Sequence, residues 1–314
     1  MRIFDGHCDT ITRDFSDGTD LFLNNGDLDI ARMLKAGEYA QIFAIFIDEK
    51  TIEEDLFEVT KKYISFFNSQ IEKYSEYINL CRTGDEIKKA FNEDKAAAIL
   101  SIEGLHTING DISNIDTLYN LGVRSIGVTW NNSNPFAGGV YDPLLGLSTK
   151  GFELIEYLND KGIMVDVSHL SGKSFRNIDE VAKKPYIASH SCSSALCNTF
   201  EVRNLSDEQI KTIANKGGII GLNLCPEFLT NKEDAYVQDV VQHIEHIMNV
   251  GGMESIALGS DFDGIDKTPI GLEDPTKYLN LAFELNGKGY SEDLIEKIFF
   301  NNFFRVFNEI CLWK

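Results

Sequence analysis

Residues 96–103 read Ala-Ala-Ala-Ile-Leu-Ser-Ile-Glu, a short apolar run that closes on a carboxylate. The run lacks the polar alternation of a half-exposed strand and is typical of a strand that is buried on both faces. Strands of that kind occur in parallel sheets whose two sides are covered by helices. The run therefore predicts one strand of a parallel α/β fold, with Glu103 at its carboxyl end.

Seven further apolar runs flank this one, and segments with helical periodicity separate them. The predicted strands are residues 2–5, 41–47, 96–103, 123–130, 163–169, 185–190, 217–224 and 255–261. The predicted helices are residues 28–37, 52–81, 84–92, 113–121, 150–161, 171–182, 206–215, 236–250 and 291–310. Eight buried strands that alternate with helices predict an α/β fold, a (β/α)₈ barrel of the TIM type, with residues 1–314 as a single domain.

An open, doubly wound sheet is the rival architecture. It would place a glycine-rich phosphate loop directly after the first strand. Residues 6–9 instead read Gly-His-Cys-Asp, and the sequence contains neither a GxGxxG motif nor a P-loop. The barrel is therefore the favoured fold.

Charge and composition narrow the class of partner. The 314 residues include 29 Lys and Arg against 49 Asp and Glu, a net charge of −20, which argues against nucleic acid or an anionic membrane. The start of the sequence lacks the apolar region of a signal peptide, and no apolar run reaches the ~18 residues of a membrane span. The six cysteines are scattered without CxxC spacing, as in reduced proteins. We expect a cytoplasmic protein with a small-molecule partner, and the sequence leaves open whether the protein forms a homodimer.

Histidines and isolated carboxylates follow the predicted strands at their carboxyl ends, the rim where barrel enzymes place their active sites. These rim residues are His7, Asp9, Glu103, His169, His190 and Asp261.

Each rim residue has a structural explanation when it is taken alone. An HxD pair often caps a turn, a lone histidine is often a hydrogen-bonded core residue, and Glu103 could form an ion pair. Taken together, three His, one Asp and one Glu exceed the three protein ligands of one open catalytic zinc site. His7 and Asp9 are two residues apart, so they would share one face of extended backbone. The five ligands predict two metal ions that share a carboxylate, and nitrogen and oxygen donors favour zinc over manganese or cobalt.

Other polar residues are weaker candidates. His243 and His246 share a helix face, but Ile244 follows the first histidine, so the pair is not an HExxH motif. Asp263 is the alternative to Asp261, and His106 could line the pocket or be exposed. Asp166 lies within a predicted strand with parity opposite to His169, which indicates a supporting or structural role.

The rim residues lie in motifs that resemble the renal (membrane) dipeptidase family of dinuclear zinc peptidases over nearly the whole chain. The motifs are DGHCD at 5–9, SIEG at 101–104, VDVSH at 165–169, ASHS at 188–191, RN at 203–204, GSDFDG at 259–264 and GLED at 271–274.

The resemblance implies a role for each matching residue. It implies that His7 and Asp9 bind one zinc ion, that His169 and His190 bind the other, and that Glu103 bridges both. It further implies that Asp261 handles the proton and the substrate amine, and that Arg203 receives the substrate carboxylate, for which a guanidinium fork is well suited.

One position departs from the family pattern. Residues 128–132 read Val-Thr-Trp-Asn-Asn, so Trp130 stands where the best-known members carry a histidine thought to hold the oxyanion. An indole NH donates one hydrogen bond but carries no charge and accepts no proton. We expect Trp130 to act chiefly as an apolar wall of the substrate site.

The sequence thus predicts a zinc-dependent dipeptidase with two zinc ions bridged by Glu103. A metal-bridging water would attack the carbonyl of a free dipeptide, and Asp261 would pass the proton to the leaving amine. One alternative is another dinuclear barrel hydrolase that acts on a cyclic amide, a lactone or a phosphoester. A second alternative is a barrel protein that binds ligands without catalysis.

Overall fold

The fold is known from a computed structural model that describes residues 1–200 and 202–312. The strands in these residues are Arg2–Cys8 (β1), Glu38–Phe46 (β2), Ile78–Leu80 (β3), Ala96–Glu103 (β4), Val123–Gly127 (β5), Met164–Asp166 (β6), Ile187–Ser191 (β7), Ile219–Leu222 (β8) and Ile256–Leu258 (β9).

The α-helices in the same residues are Thr10–Asp17 (α1), Ile30–Ala36 (α2), Leu56–Lys73 (α3), Gly84–Asn92 (α4), Asn114–Asn120 (α5), Thr149–Lys161 (α6), Gly172–Val181 (α7), Asp207–Asn215 (α8), Pro226–Leu229 (α9), Val237–Gly251 (α10), Tyr278–Gly287 (α11), Glu292–Glu296 (α12) and Asn302–Ile310 (α13). A π-helical turn, Lys297–Asn301, joins the last two helices. None of the described helices has the length and apolar character needed to cross a bilayer.

The strands form a closed parallel barrel. Starting from β2, the order of neighbours is β2, β1, β9, β8, β7, β6, β5 and β4, and β4 pairs with β2 to close the ring of eight. The short strand β3 pairs with the first residues of β4 and stays outside the ring. The predicted (β/α)₈ barrel is confirmed.

Several predicted boundaries were wrong. The helix expected over residues 52–81 is α3 alone, and the last residues of that range form β3, which is too short to show a strand pattern. Helix α1 was missed because its apolar side chains are few: Ile11 is buried and Phe15 is only partly buried. Helices α9 and α11 were also missed.

The two ends of the barrel differ. Helix α13 covers the amino end, where Asn302 donates to the backbone of Ile256 at the start of β9 and Phe303 stacks on Phe4 of β1 at 4.6 Å between ring centroids. Higher in the barrel the strands approach closely: a Cβ on Gly221 or Gly259 would lie 2.0 Å from the backbone oxygen of Ser189. Apolar side chains and bare backbone therefore fill the interior and leave the carboxyl end for polar residues.

Candidate metal centre

The two carboxylate oxygens of Glu103 face different histidines. Glu103 is the last residue of β4 and is buried. Its Oε1 lies 3.0 Å from His169 Nε2 and 3.5 Å from His190 Nε2, and its Oε2 lies 3.6 Å from His7 Nε2. One carboxylate thus stands between two groups of possible ligands, as a bridging residue must.

A β-bulge aims His7 at this carboxylate. In the pairing of β1 with β2, Asp5 lies opposite Gln41 but Cys8 lies opposite Phe43, so β1 holds one extra residue. Such a bulge re-aims the side chains within it, and His7 lies inside this one. The ring of His7 consequently stacks on His190, with 3.8 Å between ring centroids.

Asp9 reaches the same place by a different path from the expected one. The extended geometry predicted for His7 and Asp9 is wrong, because Asp9 is the residue before α1 and has φ −103° and ψ 13°. Its Oδ2 nevertheless lies 3.5 Å from His7 Nε2. The turn into α1, rather than strand parity, brings the two side chains together.

His169 and Asp261 also lie in turns rather than at strand ends. Strand β6 ends at Asp166 and β9 ends at Leu258, each three residues before the predicted end. His169 has φ 64° and Asp261 has φ 65°, a left-handed conformation that is uncommon for residues other than glycine. Strain of this kind concentrates at functional sites, where the surrounding fold enforces it.

Several nitrogen and oxygen atoms of the site face one another, and too few protons lie between them to form hydrogen bonds. Burial lowers the pKa of both His169 and His190 well below the usual range, so the two imidazoles are neutral. Their Nε2 atoms lie 2.8 Å apart, and His169 Nδ1 is already bonded to Asn131 Oδ1 at 2.7 Å. His7 Nε2 and Asp9 Oδ1 are buried with no hydrogen-bond partner among the described residues. Lone pairs crowded in this way fit divalent cations.

The charges of the site also favour a metal ion. Burial alone would lower the pKa of His7, but Glu103, Asp9 and Asp261 raise it to about 10. Burial raises the pKa of Glu103 to about 8, and the nearby Asp9 and Asp261 add to the shift. Three carboxylates around one imidazole thus hold a proton tightly, and a metal cation would satisfy the same negative charge.

Three overlapping groups of side chains in the described residues bring their ligand atoms within 4.8 Å of one another. These groups are Glu103, His169 and His190; His7, Asp9 and Asp261; and His7, Asp166 and His190. The structure therefore brings together all five predicted ligands and adds Asp261 and Asp166 to their surroundings.

Asp261 is held beside the centre by a residue that the sequence reasoning missed. Asn223, one residue beyond β8, donates from Nδ2 to Asp261 Oδ2 at 2.8 Å, and the Asp261 Oδ1 atom lies 3.8 Å from His7 Nε2. Burial raises the pKa of Asp261. The only sequence signal for Asn223 was a polar residue within the apolar run Gly-Leu-Asn-Leu.

Arg203 reaches the centre from the loop after β7. Its Nη1 donates to Ser191 Oγ at 3.1 Å, and its Nη2 donates to the backbone oxygen of His190 at 2.8 Å and lies 3.0 Å from His169 Nε2. The Nε atom is buried without a hydrogen-bond partner among the described residues. A buried guanidinium that pairs with no carboxylate in residues 1–200 and 202–312 is suited to an anionic ligand.

Trp130 stands at the edge of the centre, three residues beyond β5. Its ring centroid lies 5.0 Å from that of Phe46 and 6.2 Å from that of His169. Together with His106 and Asn132 it lines a small cavity. The side chain of His106 is fixed there by a 2.8 Å bond from Nε2 to the backbone oxygen of Ile47.

The weaker candidates lie outside the centre. His243 accepts from the Ser193 backbone N at 3.1 Å and donates to the Leu229 oxygen at 2.9 Å, so it is a satisfied core residue. His246 pairs instead with Asp207 at 2.7 Å. Asp263 is engaged by Arg13 and by Thr10 Oγ1 in a separate network.

Sequence comparisons identify relatives. The profile of the membrane dipeptidase family, peptidase family M19, matches residues 1–314. An uncharacterized dipeptidase of Schizosaccharomyces pombe is 34% identical over 280 residues, which are 82% of this chain and 65% of that protein's length. The dipeptidase tcpJ of Claviceps purpurea is 30% identical over 298 residues, 91% of this chain and 69% of that protein.

Solved structures resemble the fold over almost the whole chain. A crystal structure described as dipeptidase AC, a metallopeptidase of family M19, superposes with a TM-score of 0.90 at 26% identity and covers 99% of this chain and 98% of that chain. A metallopeptidase from Rhodobacter sphaeroides, bound to a phosphinate mimic of the dipeptide L-Ala-D-Ala, gives a TM-score of 0.90 at 24% identity and covers 99% of each chain, which shows the shared fold. The chain belongs to the membrane dipeptidase family, the M19 family of metallopeptidases.

Proposed function

We propose that this chain is a zinc-dependent dipeptidase that hydrolyses the peptide bond of free dipeptides. The observation that carries the proposal is the position of Glu103, whose two oxygens face His169 on one side and His7 on the other. Family membership supports peptide hydrolysis, and the crowded lone pairs support a metal centre.

The ligand residues divide into two sets. His7 and Asp9 would hold one metal ion, His169 and His190 would hold the other, and Glu103 would serve both. Neutral imidazoles and carboxylates suit zinc. When bound, two such ions supply Lewis acidity, which lowers the pKa of a water molecule and polarises a peptide carbonyl.

Asp261 and Arg203 would recognise the two ends of the substrate. Asp261 is held by Asn223 close to His7, where its carboxylate can accept a proton from water and pass it to the leaving amine. The same carboxylate offers an ion pair to the free amine of the substrate. Arg203, whose Nε has no partner in the part of the chain that the structure describes, offers a fork to the terminal carboxylate. A free dipeptide carries both charged groups at a fixed separation.

The proposal is tested by metal analysis of the purified protein together with a dipeptide panel of L,L, L,D and dehydro forms. We expect about two metal ions per chain and turnover that falls to a weak residual rate when either the amine or the carboxylate is blocked. Turnover of a blocked dipeptide, a lactone or a phosphoester at comparable rates would instead favour another barrel hydrolase. Two bound metals without turnover of any of these substrates would favour a binding protein.

The compartment and assembly are also proposals. We place the enzyme in the cytoplasm, which is supported by six cysteines that all carry free thiols in the described residues. Fractionation of cells tests the compartment, and light scattering of the purified protein tests the homodimer that the sequence left open.

A further inference from the structure

A chain of two hydrogen bonds connects His190 to a buried carboxylate. His190 Nδ1 lies 2.7 Å from Ser189 Oγ, and Ser189 Oγ donates to Asp166 Oδ2. All three residues are at least 96% buried, with exposed fractions of 1%, 1% and 4%. This hydrogen-bond chain runs from the end of β6 to the middle of β7 and ends on His190, a candidate metal ligand.

The Asp166 carboxylate at one end of this hydrogen-bond chain fixes where its protons lie. A carboxylate accepts hydrogen bonds and has no proton to give, so the single hydroxyl proton of Ser189 points at Asp166. Ser189 Oγ must therefore accept from His190, which places the imidazole proton on Nδ1. With the proton on Nδ1, the ring presents its Nε2 lone pair towards Glu103 Oε1, which lies 3.5 Å away.

The carboxylate itself cannot rotate freely. Asp166 Oδ1 accepts from the backbone N of Ser168 at 3.0 Å and from the backbone N of Ser189 at 2.9 Å. These two bonds hold Oδ1 against the backbone and leave Oδ2 for the Ser189 hydroxyl. His169 obtains its orientation from a neutral amide, Asn131, so the carboxylate-backed chain distinguishes His190 from His169.

We propose that Asp166 and Ser189 are positioning residues that fix the Nδ1–H tautomer of His190 and hold its Nε2 lone pair ready for the metal ion. This inference rests on the metal centre of the proposed function and assigns the residues that set the affinity of one of its two sites. Partners that orient a histidine ligand in this way typically change metal affinity by 10–100-fold when they are removed.

Two variants separate positioning from a merely structural role. Ser189→Ala removes the hydroxyl that links Asp166 to His190 but leaves both backbone hydrogen bonds of Asp166 intact. Asp166→Asn keeps Oδ1 for the backbone and turns an NH₂ group towards Ser189, so the hydroxyl proton must point at His190 and force the Nε2–H tautomer. Ser125→Ala is the matched control, because it removes a buried hydroxyl that has no hydrogen-bond partner among the described residues.

Zinc affinity is measured by titration of metal-free full-length protein against a competing chelator. We expect Ser189→Ala to weaken one of the two zinc sites by about 10–100-fold, Asp166→Asn to weaken it further, and Ser125→Ala to leave both unchanged. Wild-type zinc affinity in Ser189→Ala would overturn the proposal. Should Asp166→Asn fail to fold, judged by its circular dichroism spectrum, Ser189→Ala still decides.

The tautomer is measured directly by nitrogen NMR of metal-free protein labelled with ¹⁵N-histidine, with His190 assigned from a His190→Asn variant. We expect the Nδ1–H form of His190 in the wild type and the Nε2–H form in Asp166→Asn. The Nε2–H form in the wild type would overturn the proposal. This readout needs neither metal nor substrate, so it stands even if the chain binds zinc and hydrolyses no dipeptide.

Discussion

Asn223 donates a hydrogen bond from Nδ2 to Oδ2 of Asp261 over 2.8 Å, in the interior of the barrel rim. The bond stabilises the carboxylate that we propose as the proton carrier and fixes its direction. A hydrogen bond to a charged group contributes about 1.5–3 kcal/mol. We therefore expect the orientation of the Asp261 carboxylate to depend on Asn223, a residue outside every motif recognised in the sequence.

Asn223→Ala should lower kcat on a simple dipeptide by about tenfold to a hundredfold, because Asp261 loses its fixed orientation. Metal content should stay at the wild-type level, since Asn223 contacts none of the five proposed ligands. Asn159→Ala, which removes a buried asparagine on α6 far from the rim, is the control for general damage to the fold. An unchanged kcat in Asn223→Ala would remove the proposed dependence.

Glu103→Ala should reduce bound zinc at both sites, whereas His7→Ala should empty mainly one, because Glu103 faces both histidine groups. The measurement is zinc per chain by elemental analysis after dialysis against a weak chelator. His246→Ala, which changes a histidine paired with Asp207 outside the centre, should keep the wild-type zinc content. Two tightly held ions in Glu103→Ala would contradict the bridge.

Arg203→Lys should raise KM for dipeptides by about tenfold or more, because a single ammonium cannot reproduce the two-pronged contact with a carboxylate. Dipeptide amides lack that carboxylate, so their weak turnover should not respond to the change. Steady-state kinetics on matched acid and amide substrates decide the matter. Equal losses on both would assign Arg203 to holding the His190 backbone instead.

Trp130→Ala should alter substrate selection mainly through KM, since the indole packs beside Phe46 and His169 as a wall. Trp130→His should leave the zinc content unchanged and alter kcat, because one oxyanion donor contributes roughly 10²–10³ in rate in other hydrolases. Both variants are compared on the same dipeptide panel. A hundredfold fall in kcat for Trp130→Ala at constant KM would make the indole NH a transition-state donor.

His243 should make the folded protein less stable in acid. Burial lowers the pKa of His243 to about 4, despite its bond to the Leu229 carbonyl, whereas an unfolded chain binds that proton near pH 6.5. The unfolded state therefore holds more protons between those values, and up to about 3 kcal/mol of stability is lost as the pH falls from about 6.5 to about 4.

The measurement is urea unfolding of chelator-treated protein between pH 7.5 and 4.5. His243→Gln, whose amide can still donate and accept, should show a shallower loss of unfolding free energy towards acid pH than the wild type. His246→Gln on the same helix should follow the wild type. Parallel curves for wild type and His243→Gln would show that another group dominates the acid sensitivity.

The barrel and the identity of the rim residues could be predicted because they depend on local pattern. An apolar run such as residues 96–103 indicates a buried strand directly, and β4 has the same first and last residues as that run. The geometry that aims the side chains could not be predicted. The bulge at His7 and the left-handed turns at His169 and Asp261 are imposed by neighbouring strands. Asn223 interrupts an apolar run and Ser189 lies in the ASHS motif, but their roles as partners could not be predicted, because those roles exist only across strands distant in sequence.

The stacking of Phe4 on Phe303 has a consequence for biosynthesis. The two residues are 299 positions apart, so β1 emerges from the ribosome long before the helix that covers its inner face. Until then the amino end of the barrel exposes apolar surface, a state that favours aggregation. The amino end of the barrel therefore stays uncovered until α13 has been translated, and the ring of eight strands is complete only after that helix can pack beneath it.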